Sequence, residues 1–164
     1  RPPEDWKKWK SKRGAKLVYS NGTTITHQSG FGVHFQGEDG DVKVNRGRFV
    51  FSLKGKEIAK FEKRGDGSLG SALQTAEKTF LNNAKVKLYK STHHIRDFLS
   101  SVESRKKPIT NEIVGGRSAI CCHLMNQTYY NGEVIKWDPK TNTLSEQTGK
   151  PEWLTRDYRG IWKV

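Results

Sequence analysis

The chain has 164 residues, a one-domain length when domains typically hold about 100–200 residues. Hydrophobic residues make up 33% and charged residues 29%, and 30 Lys and Arg against 17 Asp and Glu leave a net charge of +13. No stretch approaches the roughly 18 consecutive apolar residues of a membrane span, and 7 Phe, 5 Trp and 5 Tyr with periodic apolar segments argue against disorder throughout. The expected core is thin, because an average globular chain is roughly 45–50% apolar.

The chain opens on Arg1, and its first thirty residues lack the apolar run of a signal peptide. A processed or trimmed product is therefore expected. The two cysteines, Cys121 and Cys122, are neighbours. Adjacent Cα atoms lie about 3.8 Å apart, closer than the usual disulfide range of about 4.4–6.8 Å, so no disulfide framework is expected. Without CxxC or spaced His/Cys pairs, no structural zinc site is expected either.

In chain order, residues 1–15 read as a basic arm rich in Trp and Lys, residues 16–137 as an α+β domain, and 138–164 as an irregular extension packing on it. Lys16–Ser20 and Thr23–Gln28 flank Asn21-Gly22, a strong hairpin signal because both turn positions favour positive φ. Phe31, Val33 and Phe35 alternate with Gly32 and His34 as a half-buried strand; Val42 and Val44 alternate with Asp41 and Lys43. Phe49–Leu53 and Glu57–Phe61 pair around residues 54–56. The short connections predict an antiparallel meander.

From Gly65 the period becomes helical. Leu69, Leu73, Ala76 and Phe80 predict a helix with Ser68 as a possible N-cap. Val86, Leu88 and Tyr89 predict a short extended piece. Ser91 or Thr92 can cap a second helix carrying Ile95, Phe98, Leu99 and Val102, with Arg105, Lys106 and Lys107 at its negative end and Pro108 beyond. A third helix is expected from near Gly116, and its run Ala119–Cys122, Leu124 and Met125 predicts burial on most sides, ended by Asn131-Gly132. Val134–Trp137 reads as a short last strand, and Trp153, Tyr158 and Trp162 as anchors of the tail. The fold class is α+β, an open, mostly antiparallel sheet with helices packed on one face.

Little nucleotide or catalytic chemistry is spelled out. Gly30-x-Gly32 has Phe35 where the dinucleotide fingerprint needs its third Gly, and it lies among strands, so these glycines read as turn and strand-edge residues. His27 and His34 flank the Gly30 turn and could face one another. His93-His94 begin a helix, whose positive dipole end favours a neutral ring able to act as an acid–base or hydrogen-bonding group; the plainer reading is two ordinary first-turn residues. His123, in an apolar helix, reads as a core histidine. Trp6-Lys-Lys-Trp-Lys-Ser-Lys-Arg13, with Arg46-Gly-Arg48 and Arg105-Lys-Lys107, interleaves aromatic and basic residues as nucleic-acid or polyanion binders do. Acidic residues interrupt that charge along the chain, and a basic binding module is the alternative functional reading.

The second half carries a recognisable order of segments: Ser91-Thr-His-His-Ile-Arg-Asp-Phe-Leu99, Val102-x-Ser-Arg-Lys-Lys-Pro-Ile109, Gly116-Arg-Ser-Ala-Ile-Cys-Cys-His-Leu124 and Gly132-x-x-Ile-Lys-Trp-Asp-Pro139. Ahead of these lie Leu17-Val-Tyr-Ser-Asn-Gly22, Gly32-Val-His-Phe35 and Gly40-Asp-Val-Lys-Val-Asn-Arg-Gly47, and behind them Trp153-Leu-Thr-Arg-Asp-Tyr-Arg159. From about Gly14 onwards the chain resembles the C-terminal domain of a bacterial-type glucose–fructose oxidoreductase/inositol dehydrogenase (Gfo/Idh/MocA) family member. The resemblance implies a partner Rossmann domain holding NAD or NADP, and hydride transfer at a sugar-like hydroxyl. Neither the family's Glu-Lys-Pro motif nor its histidine helix falls within this chain, and Lys106-Lys107-Pro108 is not that motif. No catalytic residue is carried over, and no cofactor is expected on this chain itself. The resemblance implies substrate-pocket residues, for which His94, Arg156, Tyr158 and Arg159 are the candidates because they can hydrogen-bond polyols or carboxylates. Simple docking of Tyr158 and Trp162 onto the core is the competing reading of that tail. It also implies a homo-oligomer through the open sheet face, where apolar burial adds about 25 cal/mol per Å².

Overall fold

A computed structural model describes residues 13–82, 84–155, 158, 160 and 161. The chain is α+β, built on open antiparallel sheets. It divides into two compact units: Ser29–His94, and the described residues within Arg1–Gln28 and Ile95–Val164.

The 29–94 unit holds a four-stranded sheet in the order β3-β4-β5-β6, with β3 at Val33–Gln36, β4 at Gly40–Asn45, β5 at Arg48–Leu53 and β6 at Lys56–Phe61. All its pairings are antiparallel. The register matches apolar residues across the strands: Val33 with Val44, Phe35 with Val42, Val42 with Phe51, and Phe49 with Phe61. Side chains alternate between faces along a strand, so these residues share one face. His34, Lys43, Val50 and Lys60, aligned in one row, belong to the other. A bulge at Phe51/Ser52 leaves Ile58 without a partner in β5.

Helix α1, Leu69–Ala76, packs on the β5–β6 half of the apolar face. Ser68 caps it, its Oγ accepting the Ser71 N–H at 3.1 Å. The core is Phe49, Ala59, Ala72 and Ala76, with Val42, Val44, Phe51, Phe61 and Leu69 packed around it. Two alanines let the helix approach the sheet closely. The inward face is thus Leu69, Ala72 and Ala76, whereas Leu73 is 44% exposed. A π-turn at Glu77–Leu81 follows, and Phe80 meets Phe51 edge to face at 5.1 Å between ring centroids. The expected extended piece around Val86–Tyr89 forms no strand, and Val86 and Leu88 are exposed.

In the other unit, β1 (Lys16–Val18) and β2 (Thr24–Thr26) form the expected hairpin, as a separate two-stranded sheet. Helix α2 runs His94–Ser104 and α3 runs Glu112–Asn131. Helix α3 begins four residues before the position its sequence suggested. Asn111 Oδ1 accepts the N–H groups of Ile113 at 3.1 Å and Val114 at 3.3 Å, and this cap outweighs the helix-weakening Gly115-Gly116. Gly132, at φ 69°, ends α3 in the left-handed conformation. The expected burial of α3 is not found: none of its residues is buried, and His123 is exposed rather than a core histidine. The last strand shrinks to β7 (Trp137–Asp138), paired with β8 (Thr143–Leu144), while Val134 is 80% exposed.

Candidate functional site

Among the candidate substrate residues, His94 is the first residue of α2, exposed, with its ring stacked on His93 at 6.1 Å between centroids. Tyr158 is 60% exposed, so it is not docked onto a core. Arg156, Arg159 and Trp162 lie outside the described residues, as does the Trp6–Lys12 part of the basic arm. His94 belongs to the 29–94 unit and Tyr158 to the other. Trp153, the other expected anchor, packs within the extension itself. Its ring lies so close to Gly149, at φ 68°, that a Cβ there would sit 2.9 Å from Cζ3.

His27 and His34 fall in different units. Each has its own partner in its own unit. His27 Nδ1 lies 2.8 Å from the Tyr129 hydroxyl, which also accepts the backbone N–H of buried Ala15 at 3.0 Å. With one lone pair taken by Ala15, the phenol can give its own proton to Nδ1 and fix the neutral tautomer whose N–H is on Nε2. Two turns earlier on α3, Cys121 Sγ lies 3.6 Å from the Tyr19 hydroxyl. That hydrogen bond, with a smaller contribution from burial, raises the Tyr19 phenol above its ordinary value. Both contacts tie the β1–β2 hairpin to α3. They brace the unit.

His34 Nε2 lies 2.9 Å from Asp41 Oδ2 on the polar face of the four-stranded sheet, and Lys43 Nζ is 3.9 Å from the same oxygen. Lys60 bridges Glu57 at 3.6 Å and Glu62 at 2.9 Å. This face therefore pairs its own charges around the buried Val50. Gly30-x-Gly32 is a strand-edge loop, as expected: a Cβ on Gly32, at φ 142°, would fall 2.6 Å from the Val44 carbonyl oxygen.

A shallow groove of about 280 Å³ lies after α2, lined by Phe98, Ser101, Val102 and residues 105–108. Arg105, at φ 58°, turns the chain so that Arg105, Lys106 and Lys107 form a basic rim over an apolar floor. Lys107 Nζ pairs with Glu112 at 2.5 Å and draws that carboxyl below its ordinary value. Among the described residues, no cluster of three or more His, Cys, Asp or Glu could hold a metal ion, and no helix is long and apolar enough to cross a membrane.

Sequence reasoning singled out His27 and His34 without their partners Tyr129 and Asp41. Asp41 had a local signal, lying across the β3–β4 turn, whereas Tyr129 is 102 residues from His27. No protein-family model, curated protein or solved structure matches this chain.

Proposed function

We propose that this chain is the substrate-facing and assembly part of an NAD(P)-dependent oxidoreductase acting on sugar-like CH–OH groups, with no hydride transfer of its own. One observation carries the assembly half. Among the described residues only Ala15, Phe49, Val50, Ala59, Ala72 and Ala76 are buried, while large apolar side chains along β3, α2 and the start of α3 stay exposed. Ile95, Phe98, Leu99 and Val102 form an α2 stripe between 45% and 59% exposed. Val33 and Phe35 lie on the part of the apolar sheet face that α1 leaves open. Such a surface is completed by a partner: the coenzyme-binding portion of a parent enzyme, a second copy through the open sheet face, or both.

The substrate half rests on the family resemblance and on residue chemistry. His94 and Tyr158 are exposed hydrogen-bonding groups, and with Arg156 and Arg159 they offer donors to a polyol or carboxylate. NAD or NADP belongs, on this reading, to the Rossmann portion of a full-length family member.

Calorimetric titration of the purified chain with NAD and NADP tests the reading. No heat of binding is expected, and micromolar affinity for either would overturn it. Retention on heparin or single-stranded DNA, steeply salt-dependent and lost on neutralising Lys7, Lys8, Lys10, Lys12 and Arg13, would instead favour the basic binding module.

A further inference from the structure

The two edges of the four-stranded sheet are built differently. Edge strands expose unpaired backbone groups, and proteins usually protect them with Lys, Pro, bulges or other charges. Edge β6 is so protected: it carries Lys56, Glu57 and Lys60 and the register shift that leaves out Ile58. Edge β3, Val-His-Phe-Gln, has no Lys, Pro or bulge and is exposed along its whole length, with Val33 at 52% and Phe35 at 62%.

Which groups of β3 point outward follows from the ladder. Gly37 N–H donates to the Gly40 carbonyl at 2.9 Å, marking 37 and 40 as a hydrogen-bonded pair. Such pairs alternate along an antiparallel ladder, so Phe35 with Val42 and Val33 with Val44 are bonded pairs, while the N–H and C=O of His34 and Gln36 face away from β4. The opposite side of β4 agrees, since Lys54 N–H donates to Asp39 and places 41 with 52 as the next bonded pair.

From this we infer that β3 is a self-pairing edge, joining two copies of this chain antiparallel about a twofold axis at His34 into one eight-stranded sheet. Sheet faces match only when opposed residues have the same side-chain sense, and His34 opposite its own copy meets that condition. The two His34 then exchange both backbone hydrogen bonds, and Gln36 of each copy reaches Gly32 of the other. On the apolar face, Val33 of each copy lies across from Phe35 of the other, a β-branched–aromatic pairing that suits neighbouring strands. On the polar face each His34 brings its own Asp41 at 2.9 Å, so the seam carries a carboxylate for each imidazole. A four-residue seam falls short of the roughly 1,200–2,000 Å² of a standard interface, which makes this a weak dimer. The inference rests on the assembly half of the proposed function and is independent of the oxidoreductase half.

Sedimentation velocity on the full 164-residue chain, over a concentration series reaching millimolar, tests it. Dimer is expected to accumulate with concentration. Gln36→Pro removes one outward N–H and none of the β3–β4 bonds, so it should raise the dimer dissociation constant about tenfold or more with an unchanged far-UV spectrum. Phe35→Lys should weaken the dimer similarly without touching the backbone, and it decides the matter if the proline variant misfolds. Gln36→Thr should dimerise like wild type. A chain that stays monomeric throughout overturns the seam and the second-copy form of assembly. A dimer indifferent to both Gln36→Pro and Phe35→Lys overturns the seam alone, because another surface then mediates assembly.

Discussion

Tyr129 serves two partners through one oxygen, and one of them is the N–H of Ala15, a residue only 8% exposed. Removing that oxygen strands a buried donor, which costs about 1–3 kcal/mol, whereas an exposed hydrogen bond lost to water costs less. Tyr129→Phe should therefore lower the urea midpoint more than His27→Ala does, although both variants break the same 2.8 Å contact. Equal losses would mean that Ala15 finds another acceptor. Asp66 gives a second residue-scale expectation. Its carboxylate accepts the backbone N–H of Glu62 at 2.9 Å and of Lys63 at 3.2 Å, and the Glu62 bond is the main reason its carboxyl falls below the ordinary 3.8. A depressed folded value means the stabilisation is complete above the ordinary value and is lost as pH falls through the lowered one. The stability gap between wild type and Asp66→Ala should thus be constant near neutrality and close on acidification below about pH 4, as read from urea midpoints across pH. A gap that widens in acid would contradict it.

Elements were legible where a local rule decides them. Gly22, at φ 86°, turns the β1–β2 hairpin where one was expected, although Asn21 does not share its positive φ; Ser68 specified the start of α1, and Gly132 the end of α3. The misplaced start of α3 shows competing rules: the Gly115-Gly116 pair weakens a helix, yet the Asn111 side chain satisfies two orphan N–H groups and Glu112 suits the positive end. Substituting Asn111→Ala should then cost about 1 kcal/mol and shift the helix start toward Arg117, which amide exchange of residues 113–116 would report. Unchanged protection there would mean the first turn is held by packing. Packing itself was less legible. The helical period pointed to Leu73, but the helix–sheet spacing accepts Ala72 and leaves Leu73 out. The apolar run of α3 promised burial that this chain does not supply. The site was legible only as residue types: nothing local to His94 or Tyr158 says whether a pocket closes around them.

For the whole molecule, charge and apolar surface pull in opposite directions. Each copy carries +13, so two copies repel, and screening shortens that repulsion as the Debye length falls from about 10 Å at 0.1 M salt to about 3 Å at 1 M. The β3 seam is held by backbone bonds, apolar contact and locally compensated charge, none of which salt weakens much. Added salt should therefore strengthen the dimer. A polyanion bound by the same positive charge behaves in reverse, because its affinity falls with log salt as counterions are no longer released to advantage. Measuring the dimer dissociation constant by sedimentation and heparin elution on one preparation across a salt series separates the two uses of the chain. Dimerisation that strengthens with salt while any heparin retention fades is the expected pattern. A dimer that dissolves in salt would mean that ion pairs, not the β3 edge, hold the copies together.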